Sequence, residues 1–176
     1  MRLFVGLDLP DPLRARLTAL CGSLSGARWT PPENFHLTLR FIGEVRRDVA
    51  EEIDHALAAI SGRAFLLTLS GTGVSNRPGR ASALWVGIEE RDRVGHLHNK
   101  IETALQRIGL PPERKRFQPH VTLARVDGIA EAVLARWVQQ HNLLRSQSVP
   151  ITHFTLFSSL LGEQPIYTAE VDYELG

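Results

Sequence analysis

Two stretches of this 176-residue sequence place a threonine two residues after a histidine within an apolar run: Phe35-His36-Leu37-Thr38-Leu39 and Pro119-His120-Val121-Thr122-Leu123. Alternate side chains of a strand share a face, so each histidine points the same way as its threonine, about 7 Å away along the backbone. Leu37, Leu39 and Phe41 take the opposite face and can lie on a helix, leaving His36, Thr38 and Arg40 on a polar face open to a cleft. The same parity joins His120 to Thr122, with Val121 and Leu123 behind them. Arg125 falls on the Val121 side unless a bulge or the end of the strand re-aims it. Imidazole gains and loses protons near neutrality, so one histidine can deprotonate water while the other protonates a leaving oxygen. Cleavage of a cyclic phosphate needs that pair. The threonine hydroxyls can donate to the phosphate oxygens as charge builds in the transition state, and no metal is required.

Seven histidines and ten threonines in 176 residues give roughly 0.4 such triplets by random placement, and three occur. The third, His153-Phe154-Thr155, shares its face with Ile151 and Phe157, and a packed or edge histidine is expected there. The first two belong to a longer duplication, PPENFHLTL from Pro31 and PPERKRFQPHVTL from Pro111. The offset is 80 residues at the proline pairs and 84 at the histidines (120 − 36), so the second copy carries four extra, largely basic residues. Two copies of so long a unit predict two lobes facing each other.

The elements that must hold these segments follow from periodicity. Strands are expected at Leu3 to Leu7, His36 to Phe41, Phe65 to Leu69, Leu84 to Ile88, His120 to Val126, Ile151 to Phe157 and Ile166 to Tyr173. Helices fit Asp11 to about Leu24, Val49 to Ile60, Val94 to Ile108 and Ala130 to Gln140. This order predicts an α+β protein, mostly antiparallel sheet with helices on the outer faces. Asn76-Arg77-Pro78-Gly79-Arg80 reads as a loop too short to divide domains, so residues 1–176 are expected to form one domain.

Composition narrows the classes further. With 43% apolar and 22% charged residues the chain is of ordinary globular type, and no apolar run reaches the length of a membrane span. The opening MRLFVGLDLP turns acidic and proline-bearing too early for a secretory signal, so the cytoplasm is the expected location and a monomer the expected state. A single cysteine, Cys21, in a helical stretch reads as a structural thiol. A net charge of +1 gives no global pull towards nucleic acid. Arg114-Lys115-Arg116 is either an RNA-backbone contact or a solvated loop, and Phe117 either stacks a base or plugs the core at the strand entrance. His96 and His98 lie two apart on a helix and point to different sides, without acidic or cysteine partners to complete a metal site. Gly71-Thr72-Gly73 lacks the continuation of a phosphate loop.

On RLFVGLDLP at the start, ENFHLTLRFIGEV from Glu33, FQPHVTLARV from Phe117 and, more weakly, TLFSSL from Thr155, the chain resembles the 2H phosphoesterase superfamily. Within it the likeness is to the bacterial RNA 2',3'-cyclic phosphodiesterases, also called 2'-5' RNA ligases of the LigT type. The resemblance implies a bilobal fold with two sheets flanking a central cleft, no cofactor, and RNA ends or nucleotides bearing 2',3'-cyclic phosphate as substrates. It also implies His36 as proton donor, His120 as proton acceptor and Thr38 with Thr122 as phosphate holders, giving a 2'-phosphomonoester. An arginine after the second motif is matched by Arg125, and Arg40 and Phe117 are further candidate substrate contacts. Where the family often has glycine just before a Pro-Tyr pair, this chain reads Gly162-Glu163-Gln164-Pro165-Ile166-Tyr167. Two other functions fit the same residues: ATP-independent 2'-5' ligation at the same site, and a non-catalytic RNA-binding module. Retention of both His/Thr pairs argues against the module.

Overall fold

In the computed structural model, residues 1–75 and 82–176 are described, and the expected loop at Asn76 to Arg80 lies outside them. The chain runs β1 (Arg2–Asp8), α1 (Asp11–Thr18), β2 (Arg28–Trp29), a 3-10 turn (Pro32–Asn34), β3 (His36–Glu44), α2 (Arg47–Ala58), β4 (Phe65–Leu67) and β5 (Leu69–Ser75). It continues through β6 (Ser82–Ile88), α3 (Arg91–Arg107), β7 (Val121–Val126), α4 (Glu131–His141), β8 (Val149–Ile151), β9 (His153–Leu160) and β10 (Ile166–Glu174). The α+β class expected from the sequence is observed. Among the described residues no helix is long and apolar enough to cross a membrane.

The strands form an antiparallel path in the order β10-β9-β1-β3-β7-β6-β5, with β2 beside β7 and a separate small pair β4-β8. Two halves meet in the middle of that path. β3 and β7 share one paired position, Leu37 opposite Val121, after which β7 takes β2 as its neighbour through Arg28–Arg125 and Trp29–Ala124. The lobes therefore touch where the two His/Thr segments begin and separate beyond it. One face of the sheet is sealed by helices through Leu37, Leu39, Val121 and Leu123, packed with Ile53, Val94, Leu97, Ile101 and Leu134 in a continuous core. Burial of these aliphatic side chains, at roughly 25 cal/mol per Å² of apolar surface, is what fixes the face the histidines are left with.

Three local departures from expectation have physical causes. Helix α1 stops at Thr18 rather than near Leu24: the backbone bonds tighten to three-residue steps at Leu20 and Cys21, and Gly22, with φ of 85°, then takes the chain out of the right-handed helical region. Cys21 thus lies in the turn that follows, where burial pushes its thiol pKa up. The strand expected at Phe65 to Leu69 divides at Thr68: Leu67 pairs into the small sheet and Leu69 into the large one. Thr68 is held at the crossing by the Glu90 carboxylate, which accepts from both its N–H and its hydroxyl at 2.7 Å. Strand β5 runs on through Gly71-Thr72-Gly73, with a register shift at Gly71, whose φ is 72°.

Candidate active site

Antiparallel partners share a face, so the Leu37–Val121 pairing has a consequence one residue to either side. It sets His36 across from Thr122 and Thr38 across from His120, all four on the face away from the helices. A local two-fold relation through Leu37 and Val121 exchanges the two pairs. In this way the tertiary structure brings together residues 84 positions apart (120 − 36).

The two imidazoles are oriented alike. His36 Nδ1 lies 2.7 Å from the Asn34 carbonyl and His120 Nδ1 lies 2.6 Å from the Gln118 carbonyl, in each case two residues upstream. A carbonyl can only accept, so both Nδ1 atoms carry hydrogen, and in the neutral ring Nε2 is left with its lone pair. His36 Nε2 is 2.9 Å from the Thr38 hydroxyl, which donates to it when the ring is neutral. Each Nε2 can thus take a proton as base or deliver one as acid.

The surroundings differ. His36 packs against Phe4 (4.9 Å between ring centres) and the edge of Tyr167 (5.1 Å), with Phe157 behind at 6.1 Å. Burial among these rings pulls its pKa below the ordinary histidine value; the Asn34 carbonyl and the Asp8 carboxylate oppose the shift, while His120 and Arg14 reinforce it. Arg14 donates to Asp8 Oδ1 at 2.7 Å and to the Leu9 carbonyl at 3.2 Å, and also to the Pro32 carbonyl, clamping the turn that leads into His36. The Asn34 amide donates to the Pro165 carbonyl at 2.9 Å, tying the same turn to the start of β10. A cavity of about 530 Å³ beside His36 is lined by Asp8, Arg14, Asn34, Phe157 and Tyr167 among others. His120 has Trp85 nearby, with ring centres 6.1 Å apart.

Both strands bulge just after the threonine. On β3, Gly6 pairs with Thr38 but Val5 with Arg40, which leaves Leu39 extra; on β7, Trp85 pairs with Thr122 but Leu84 with Ala124, which leaves Leu123 extra. Leu39 and Leu123 are again 84 apart (123 − 39). Each bulge reverses the parity beyond it. Arg40, expected on the polar face with His36 and Thr38, is therefore in the core at 5% exposure, paired with Glu102 and donating to the Pro111 carbonyl. Phe41, expected to be buried, is 42% exposed. On β7 the same reversal buries Ala124 and exposes Arg125 on the Thr122 face. Arg125 and Arg2 lie close enough to the Tyr167 hydroxyl to act on its pKa, which burial raises and these two cations lower. Arg125 thus reaches from one lobe towards the other.

Phe117 stacks flat on His98 (4.0 Å, 1° between planes) and packs against the core, so it plugs the strand entrance. His98 Nδ1 in turn donates to the Leu39 carbonyl at 2.7 Å. In the third triplet the hydroxyl of Thr155 is committed to Asp172 Oδ1 at 2.7 Å and is fully buried, and His153 Nε2 lies 3.9 Å from the same carboxylate. Phe41 was placed on the helix-covered face, and Tyr167, Phe4, Phe157 and Trp85 were not assigned to the site from the sequence. Phe41 alone had a signal there, since it stands in the first copy where Arg125 stands in the second (125 − 41 = 84).

Comparison with known proteins gives the family and the fold. The family model for LigT-like phosphoesterases matches twice, over residues 7–85 and 86–167. The RNA 2',3'-cyclic phosphodiesterase of Aeropyrum pernix is 38% identical over 138 residues, 77% of this chain and 78% of that protein. That of Archaeoglobus fulgidus is 30% identical over 171 residues, 95% of this chain and 96% of that one. Among solved structures, a protein of Thermus thermophilus superposes with a TM-score of 0.81 at 25% identity, covering 99% of this chain and 98% of its own. The Escherichia coli LigT complex with 3'-AMP gives 0.79 at 24% identity, covering 99% and 97%. With the family model matched over both halves of the chain and the fold shared over nearly its whole length, the chain belongs to the LigT-like phosphoesterase family.

Proposed function

We propose that this protein hydrolyses RNA or nucleoside 2',3'-cyclic phosphate ends to 2'-phosphomonoesters by acid and base catalysis between His36 and His120. The observation that carries the reading is the matched pair of Nδ1–carbonyl bonds, which leaves both Nε2 atoms available on one face of the sheet. Relatives at 38% and 30% identity bear the name RNA 2',3'-cyclic phosphodiesterase, which gives the substrate class.

His120 takes a proton from water as its oxygen attacks phosphorus. The bond from phosphorus to the 3'-oxygen breaks, and His36 protonates that oxygen. The 2'-oxygen keeps the phosphate, and exchange with solvent restores the two protonation states. Thr38, Thr122 and Arg125 hold the non-bridging oxygens, where donors are most valuable as charge accumulates. His36 needs its proton for this role although burial disfavours it; a bound anionic phosphate favours the charged ring, so substrate itself arms the donor. The protein works as one bilobal domain over residues 1–176, a monomer in the cytoplasm. A core that runs through both halves supports the single domain.

The test is incubation of EDTA-treated protein with nucleoside 2',3'-cyclic phosphates, with the 2'- and 3'-phosphate products resolved chromatographically. Formation of the 2'-phosphate is expected. Exclusive 3'-phosphate, or no turnover of any cyclic nucleotide, overturns the assignment.

A further inference from the structure

Trp85 has no part in the proton transfers, yet its place in the sheet is specific. It pairs with Thr122 on one side and with Gly73 on the other, so it lies in the row of cleft-face positions that leads through Thr122 to His36. A Cβ built on Gly73 would fall 2.1 Å from Trp85 Cζ2 and 2.5 Å from both Cε2 and Cη2. The two flanking atoms are almost as near as the central one, which is the pattern of a point beneath the ring face and not at its edge. The indole therefore lies flat over the Gly73 backbone, where no other residue leaves room for it. Its second face is turned away from the sheet, towards the cleft.

The indole N–H tells the same story. Trp137 Nε1 donates to Ser23 Oγ at 2.9 Å, as is usual for a tryptophan in the core. Trp85 Nε1 makes no hydrogen bond among the described residues, and no fully buried side-chain donor there lacks a partner. Its N–H is consequently not fully buried. A half-buried aromatic plane supported from below, with an N–H that no described residue accepts and a ring centre 6.1 Å from His120, is built to take a flat ligand on its other face.

We propose that Trp85 is the platform on which the terminal nucleobase stacks while its cyclic phosphate lies between His36 and His120, and that Gly73 is the positioning residue that holds the indole flat. This rests on the phosphodiesterase reading above. Because stacking strength grows with the π surface, the platform favours purine over pyrimidine 2',3'-cyclic nucleotides.

The experiment measures kcat and KM for 2',3'-cyclic AMP and 2',3'-cyclic CMP in wild type, Trp85→Ala, Trp85→Phe, Gly73→Ala and the double variant Gly73→Ala/Trp85→Ala. Trp85→Ala should raise KM for the purine by roughly 5- to 100-fold, less for the pyrimidine, with kcat little changed. Trp85→Phe should recover most of the loss. Gly73→Ala should reproduce the purine-selective defect with Trp85 still present, and should add nothing in the double variant. Unchanged KM in Trp85→Ala, equal losses for both bases, or additive effects in the double variant overturns the platform. Should a variant fold poorly, quenching of wild-type tryptophan fluorescence by 2'-AMP, lost in Trp85→Phe, decides the matter, and absence of quenching counts against it. Failure of wild type to turn over either cyclic nucleotide would instead sink the functional reading, which separates the two outcomes.

Discussion

The two His/Thr half-sites are the same device placed in different company. Each has its Nδ1 bonded to a carbonyl two residues upstream and a bulge one residue after the threonine. Yet beside Thr38 the neighbouring strand offers Gly6, whose Cβ would press against the Leu37 carbonyl at 2.9 Å, while beside Thr122 it offers Trp85. The lobe that carries His36 is filled by Phe4, Phe157 and Tyr167, with Asp8 and Arg14 close by. The difference teaches that duplication fixes the geometry of the ring nitrogens, whereas the strands that flank each copy give the two rings different surroundings.

The largest effect that can break this comparison is removal of either imidazole. His36→Ala and His120→Ala should each lower turnover by roughly 10² to 10⁴-fold, as loss of a general acid or base does. His153→Ala should stay near wild type, since its threonine partner is spent on Asp172. An inactive His153 variant beside active His36 and His120 variants would show that the wrong pair has been chosen.

The two arginines that follow the motifs sharpen the contrast, because the bulges send one into the core and the other into the cleft. Removing Arg40 leaves the Glu102 carboxylate without its buried partner. Burial pushes that carboxyl's pKa up, but Gln106 and Arg40 together hold it below the ordinary value. Arg40→Ala should cost about 3 to 5 kcal/mol of stability, read by denaturant unfolding, with the active fraction retaining its KM. Arg125→Ala should leave the unfolding midpoint alone and lower kcat/KM by roughly 10²-fold, the scale of one lost transition-state donor. A stability loss at Arg125 with normal kinetics would reverse the assignment.

The pH profile tests the unequal surroundings of the histidines. Wild type should show a bell, since one ring must be charged and the other neutral. A group that must hold its proton is active below its pKa, and burial lowers that of His36 in the free enzyme. One limb of kcat/KM should therefore lie below the usual histidine range, and that limb should move upward in kcat, because bound phosphate stabilises the charged ring. Coincident limbs, or a plateau where chemistry limits the rate, would tell against this division. The smallest expected effect is none at all: exhaustive EDTA treatment should leave turnover unchanged, and loss of activity with rescue by a divalent ion would require a different mechanism.

Much of the site was already legible in the amino-acid sequence, for reasons of local physics. Strand parity depends on neighbouring residues alone, so the pairing of His36 with Thr38 and of His120 with Thr122 on common faces followed from spacing, and the offset between the two copies implied that they would meet. The apolar alternation likewise determined which face the helices would cover. What only the tertiary structure decided lies in the bulges and across the sheet. A bulge is an accommodation between two strands, one residue of Leu39 or Leu123 with no partner opposite, and nothing within either strand announces it. It alone buries Arg40, exposes Phe41 and turns Arg125 to the cleft. Register across the sheet is equally non-local, because it depends on how twisted strands and their helices pack together. That is why the rings around His36, and the flat seat of Trp85 on Gly73, come from strands far apart in sequence and became visible only in the folded chain.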